Sequence, residues 1–189
     1  MRILNFIIAA FATLNISAQN LEYTEDGLRN KDSLSQTFVV ALLPGKSADE
    51  LFVKTNAYVS EFYKNPRESV KSEIQNKMIR FTTIERRVFR FRNGPYKTPL
   101  DFRYTTEIRI KQGKIKYEIV ELEITGSELV KGRYPRVIPH GSNWTDWPVF
   151  KDNGKVRYPD IKDFIEKYFK LQLLELTEYI KNGTKKDDW

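Results

Sequence analysis

Phe102-Arg103-Tyr104-Thr105-Thr106-Glu107-Ile108-Arg109-Ile110-Lys111-Gln112-Gly113-Lys114-Ile115-Lys116-Tyr117-Glu118-Ile119 is the stretch that decides the fold. Phe102, Tyr104, Thr106, Ile108 and Ile110 alternate with Arg103, Thr105, Glu107, Arg109 and Lys111. A strand sends successive side chains to opposite faces, so this alternation predicts one buried and one wet face. Lys111–Lys114 reads as a tight turn in which Gly113 takes positive φ. Ile115, Tyr117 and Ile119 then resume the apolar phase, so the stretch is an antiparallel hairpin. Leu122 and Ile124 are apolar on the other phase, which predicts a bulge or an added cover near Val120.

Upstream, Ile79, Phe81, Thr83, Phe89 and Phe91 share one parity, while Arg80, Arg86, Arg90 and Arg92 share the other. Asn93-Gly94-Pro95 breaks this second long strand from the hairpin. Val70, Ser72 and Ile74 alternate with Lys71, Glu73 and Gln75 in a further strand. Before it lies an amphipathic helix over 47–64, with Leu51, Phe52, Thr55, Tyr58, Val59, Phe62 and Tyr63 on one face. Ser47 and Glu50 have capping-box spacing, and Asn65-Pro66 ends the helix. Thr37–Leu43 is a β-branched, apolar run closed by Pro44-Gly45, a buried strand before that helix.

Downstream, residues 126–159 lack periodicity and hold four prolines with Tyr134, Trp144, Trp147 and Phe150. Aromatics in such a loop pack down on a core or meet a partner. Asp160 is placed to cap a last helix over 161–181. Its apolar residues span an arc of roughly 200°, against the roughly 100° that a surface helix needs. One sheet face cannot cover that arc, so the proline- and tryptophan-rich loop or a second subunit is expected to cover the rest. The order is β-α-β-β-β-β-α, an α+β two-layer domain over 36–181 with an antiparallel sheet and helices on one face.

Two stretches carry a family resemblance: Gly45-Lys46-Ser47-Ala48-Asp49-Glu50-Leu51-Phe52 and Ile108-Arg109-Ile110-Lys111-Gln112-Gly113-Lys114-Ile115-Lys116-Tyr117. Within 36–124 the chain resembles a family of exported bacterial proteins that carry a domain of unknown function with a TATA-box-binding-protein-like (TBP-like) fold. The resemblance implies that fold and an exported setting, and lends no activity. It does not imply DNA binding. Minor-groove binders of this fold wedge apolar side chains between bases from the open sheet face and use two repeats. Here one repeat is present, and the open face carries Lys71, Glu73, Arg90, Arg92, Arg103, Glu107, Arg109, Lys116 and Glu118.

The beginning of the chain agrees with export. Arg2 precedes a short apolar run to Leu14, and Ala18 closes the segment, as in a cleaved signal peptide over 1–18. The run is shorter than the roughly 20 residues that span a bilayer, and no later segment reaches that length. Residues 19–35 are polar and read as a flexible leader; residues 182–189 read as a polar tail. The chain has no cysteine, which removes disulfides, thiol catalysis and thiolate metal ligands.

No catalytic motif stands out. Gly45-Lys46-Ser47 lacks the earlier glycine of a phosphate-binding loop, since position 40 is Val40. His140, Ser142 and Asp146 lie within one short loop without a nucleophile elbow. A single histidine without cysteine disfavours a transition-metal site, and no cofactor is expected. The net charge is +7, and Arg90, Arg92, Arg103 and Arg109 share the outer sheet face as anion-binding candidates. Tyr134, Trp144 and Trp147 are partner-surface candidates.

These features lead to a non-enzymatic binding or assembly module of the periplasm or cell surface. Its expected partners are an envelope protein, an acidic glycan or a lipid headgroup, and not nucleic acid. A homodimer through the last helix is a further expectation. The alternative is an envelope hydrolase using residues 134–150.

Overall fold

The structure, a computed structural model, describes residues 21–63, 66–93, 96–127, 134–141 and 146–183. The expected signal peptide, Ser142, Trp144 and most of the polar tail lie outside the described residues.

Residues 102–119 lie in β6 (Tyr96–Lys111) and β7 (Lys114–Gly126), paired from Leu100↔Gly126 to Lys111↔Lys114. Gly113 takes φ 72° in the turn between them. The phase change after Ile119 is a bulge: Thr106 pairs with Ile119 and Thr105 with Glu121, so Val120 is left over. The extra residue returns Leu122 and Ile124 to the same face as Ile115 and Tyr117.

β5 (Met78–Asn93) pairs antiparallel with β6. Its register shifts between Glu85 and Phe89, where Arg87 takes φ 58°. Four residues of β5 there span two of β6 (Phe102 to Leu100), so the parity survives and Phe81 and Phe91 both face the core. β4 (Val70–Ile74) pairs only with Met78–Phe81 of β5. β3 (Phe38–Leu42) pairs with Lys114–Glu118 of β7. Beyond the bulge, β8 (Arg136–Ile138) pairs with Ile124 and Thr125 of β7. β9 (Trp147–Pro148) pairs parallel with β8.

α1 (Ala48–Phe62) and α3 (Pro159–Asn182) cover one face of this sheet, and α2 (Pro66–Ser69) is a single turn before β4. The interface is built largely of rings. Phe164 stacks on Phe89, Phe169 and Tyr168 meet Phe102 and Tyr104, and Tyr58 of α1 meets Tyr179 of α3. Tyr104 and Tyr168 also join hydroxyls at 3.0 Å, so the buried phenols are satisfied.

Three local expectations are corrected. Ser47 caps α1 by accepting from the Glu50 amide at 3.1 Å, but Glu50 turns to Lys46 at 2.5 Å instead of closing the capping box. Tyr158 is the N-cap of α3 and Pro159 opens the helix, so Asp160 sits in its first turn, where a carboxylate favours the helix dipole. Residues 19–35 are not a flexible leader where the structure describes them. β1 (Leu21–Thr24) and β2 (Gly27–Asn30) form a hairpin whose Leu21, Tyr23 and Leu28 are buried.

That hairpin supplies cover for α3 that was expected from the loop or a second subunit. The Tyr23 amide donates to Glu166 at 2.9 Å, and Lys162 bridges Glu22 and Glu166. Ile161, Ile165, Phe169, Leu173 and Leu176 of α3 are all buried. No described helix is long and apolar enough to cross a membrane.

Candidate functional site: the outer sheet face

With both helices on one face, the other face of β3 to β7 presents the polar residues of each alternation. Antiparallel pairing brings them side by side in a register that decides which charges meet. At the β4 end, Arg80 stands opposite Glu107 and Glu107 opposite Glu118. Arg80 donates to Glu107 through Nε at 2.9 Å and through a closer Nη2, and Arg109 Nε reaches the other carboxylate oxygen at 2.6 Å. The two guanidiniums bury Glu107 to 2% exposure on a nominally open face. Burial pushes its carboxyl up, but the hydrogen bonds from Arg109 and Arg80 outweigh this and hold it below the usual carboxylate range. Glu118 is likewise held low: burial opposes, while bonds from Lys116 and Thr37 prevail. Lys116 also lies 4.1 Å from the Phe38 ring centroid.

Midway along the face the charges are looser. Arg103 stands opposite Glu123 with 3.7 Å between charged atoms. Here Ile84, Arg86, Asp101, Arg103, Glu123 and Tyr134 line a shallow groove of about 310 Å³. Tyr134 is 57% exposed at its rim. Asp101 is held in place, accepting from the Arg87 amide at 2.8 Å and from the Ser127 hydroxyl. Two guanidiniums and two carboxylates leave the groove without net formal charge.

Past the bulge in β5 the balance changes. Arg90 pairs in register with Pro99, and Arg92 with Lys97. Arg90, Arg92 and Lys97 are exposed there, as are Arg86 and Arg87 within the bulge itself. Among the described residues none of them forms an ion pair, whereas Arg80, Arg103, Arg109 and Arg136 each have a carboxylate.

The four anion-binding candidates therefore do not make one cluster. Arg109 is engaged by Glu107. Arg103, six residues away along β6 (about 20 Å of strand), belongs to the charge-balanced groove. Arg90 and Arg92 share the unanswered distal end. Lys97, which is not among the four, joins them there: parity places a side chain on a face but does not reveal which neighbour it meets.

The partner-surface candidates also separate. Tyr134 is exposed beside the groove. Trp147 is a correction, because it is buried against Phe91 with ring centroids 5.0 Å apart. Its strand β9 docks beside β8 and turns the indole inward. Trp144 lies outside the described residues.

The loop residues of the hydrolytic alternative take separate partners. His140 Nε2 is 3.5 Å from Glu25, on the N-terminal hairpin. Asp146 is nearly buried and bound by Arg136, whose Nη2 is 2.9 Å from its Oδ2. Among the described residues no three His, Asp or Glu side chains gather as a metal site would require.

No family model matches the chain. No curated protein matches it either. Two solved structures are similar. One is a DUF4468 family protein from Bacteroides ovatus, at TM-score 0.54 and 13% identity, over 79% of this chain and 86% of that one. The other is a TBP-like protein from Parabacteroides distasonis, at TM-score 0.55 and 15% identity, over 78% of this chain and 92% of that one. They extend the likeness well past residues 36–124 and agree with the fold implied by the two quoted stretches. The β-α-β order, the antiparallel sheet and the helices packed on one face are those of a TBP-like α+β domain, the fold of this chain.

Proposed function

We propose that this protein is a non-enzymatic binding or assembly module of the bacterial envelope, and that the distal end of β5 and β6 is its contact with an anionic partner. The observation that carries the reading is the set of cations without carboxylate partners at Arg90, Arg92 and Lys97, on a face where Arg80, Arg103 and Arg109 are answered. Exposed guanidiniums without internal partners are free to take a carboxylate or phosphate bidentately.

The test is a pull-down from envelope extract with the wild-type protein and an Arg90→Glu/Arg92→Glu variant. The reading expects a protein, acidic glycan or lipid retained by the first and lost by the second. Recovery of none of these, or equal recovery by both, counts against it. The hydrolytic alternative predicts an activity on ester or glycan panels that His140→Ala abolishes. An unchanged profile removes it.

A further inference from the structure

The cations without partners sit on a strand that also lacks a neighbour. β4 pairs with β5 only over Met78–Phe81, so from Thr82 to Asn93 the one strand paired with β5 among the described residues is β6. The bulge between Glu85 and Phe89 interrupts this edge, but Phe89–Asn93 is regular again, pairing step by step with Leu100–Tyr96. A strand paired on one side turns alternate amides and carbonyls outward, a template for another extended chain.

Building on the reading above, we infer that the distal edge of β5 accepts an extended acidic segment of a partner protein as an added strand, with Arg90 and Arg92 contacting its carboxylates. Charge decides the occupant. A second copy of this chain would set Arg90 and Arg92 against their own equivalents, and like charges on adjacent strands repel. A dense polyanion such as a glycan would satisfy the guanidiniums but leave the outward backbone groups to water. An acidic extended polypeptide satisfies both at once. The bulge and the arginines, which blunt this edge against self-pairing, thereby select for that class of partner.

The probe is a synthetic ten-residue peptide of alternating Glu and Thr. Its control keeps all five glutamates and replaces the threonines with proline, which removes ladder donors without changing the charge. Binding is read by fluorescence anisotropy, and strand addition by amide hydrogen exchange. The inference expects slower exchange across Phe89–Asn93 with the Glu-Thr peptide, binding weakened at least about tenfold by Arg90→Glu/Arg92→Glu, and a similar loss with the proline peptide. The variant sites are exposed, and near-UV circular dichroism checks that the fold is kept. Equal binding of both peptides, or binding without protection at Phe89–Asn93, reduces the contact to charge and overturns strand addition. So does binding of polygalacturonate but not of the Glu-Thr peptide, an outcome that leaves the anionic-partner reading standing. Failure of all three probes together with an empty pull-down removes both.

Discussion

Replacing Glu107 with Gln tests whether the outer face is held by charge or merely tolerates it. Glu107 receives two hydrogen bonds from Arg80 and one from Arg109 while 2% exposed. A hydrogen bond to a charged group contributes about 1.5–3 kcal/mol, so three would suggest well over 4 kcal/mol. Desolvating the carboxylate costs several kcal/mol in return. The guanidiniums are 41% and 59% exposed and recover water when released. The balance leaves Glu107→Gln about 2 kcal/mol less stable at pH 7, or roughly 4–8 °C in Tm for a chain of this size.

The pH dependence gives the sharper signature. The folded carboxyl titrates below its unfolded value, so its stabilisation is present above about pH 4.3 and fades as pH falls through the folded pKa. Urea unfolding of both proteins from pH 7 to pH 3 should show the difference shrinking toward the acid end. A difference that stays flat to pH 3, or a variant as stable as wild type at pH 7, would refute an ionised, bonded Glu107.

Other perturbations separate structural from surface roles. Tyr23→Ala should cost about 3 kcal/mol in urea unfolding, because the ring is buried under the N-terminal hairpin; a neutral result would restore the flexible-leader reading. Trp147→Ala should cost about as much, whereas Tyr134→Ala, at an exposed rim, should stay within about 0.5 kcal/mol. A Cβ at Gly126 would stand 2.7 Å from Pro135 Cγ, so Gly126→Ala should destabilise by about 1–3 kcal/mol, measured by thermal melting. Deleting Val120 removes the unpaired bulge residue and sets Ile119 and Glu121 opposite the adjacent Thr106 and Thr105 without a gap, so both halves of β7 keep their buried faces. The deletion variant should keep cooperative unfolding by circular dichroism; its loss would refute the assignment of Val120 as the extra residue.

The chain by itself determined what local periodicity can report. Alternation around Phe102 and Tyr117 named the strands and their buried faces. The phase slip after Ile119 announced the bulge, and the 3.6-residue spacing from Leu51 to Phe62 announced the first helix. These signals are legible because each side chain's face follows from its own strand or helix. Only the tertiary structure decided which faces meet. Leu21, Tyr23 and Leu28 are too few to make a periodic signal, so their hairpin surfaced only where α3 needed cover. Trp147 looked like any loop aromatic until β9 docked beside β8. Register, set by turns and bulges across three strands, joined Arg80 to Glu107 and set Arg103 against Glu123. The same register left Arg90 and Arg92 facing Pro99 and Lys97, and a candidate that read as one arginine face became a single basic edge.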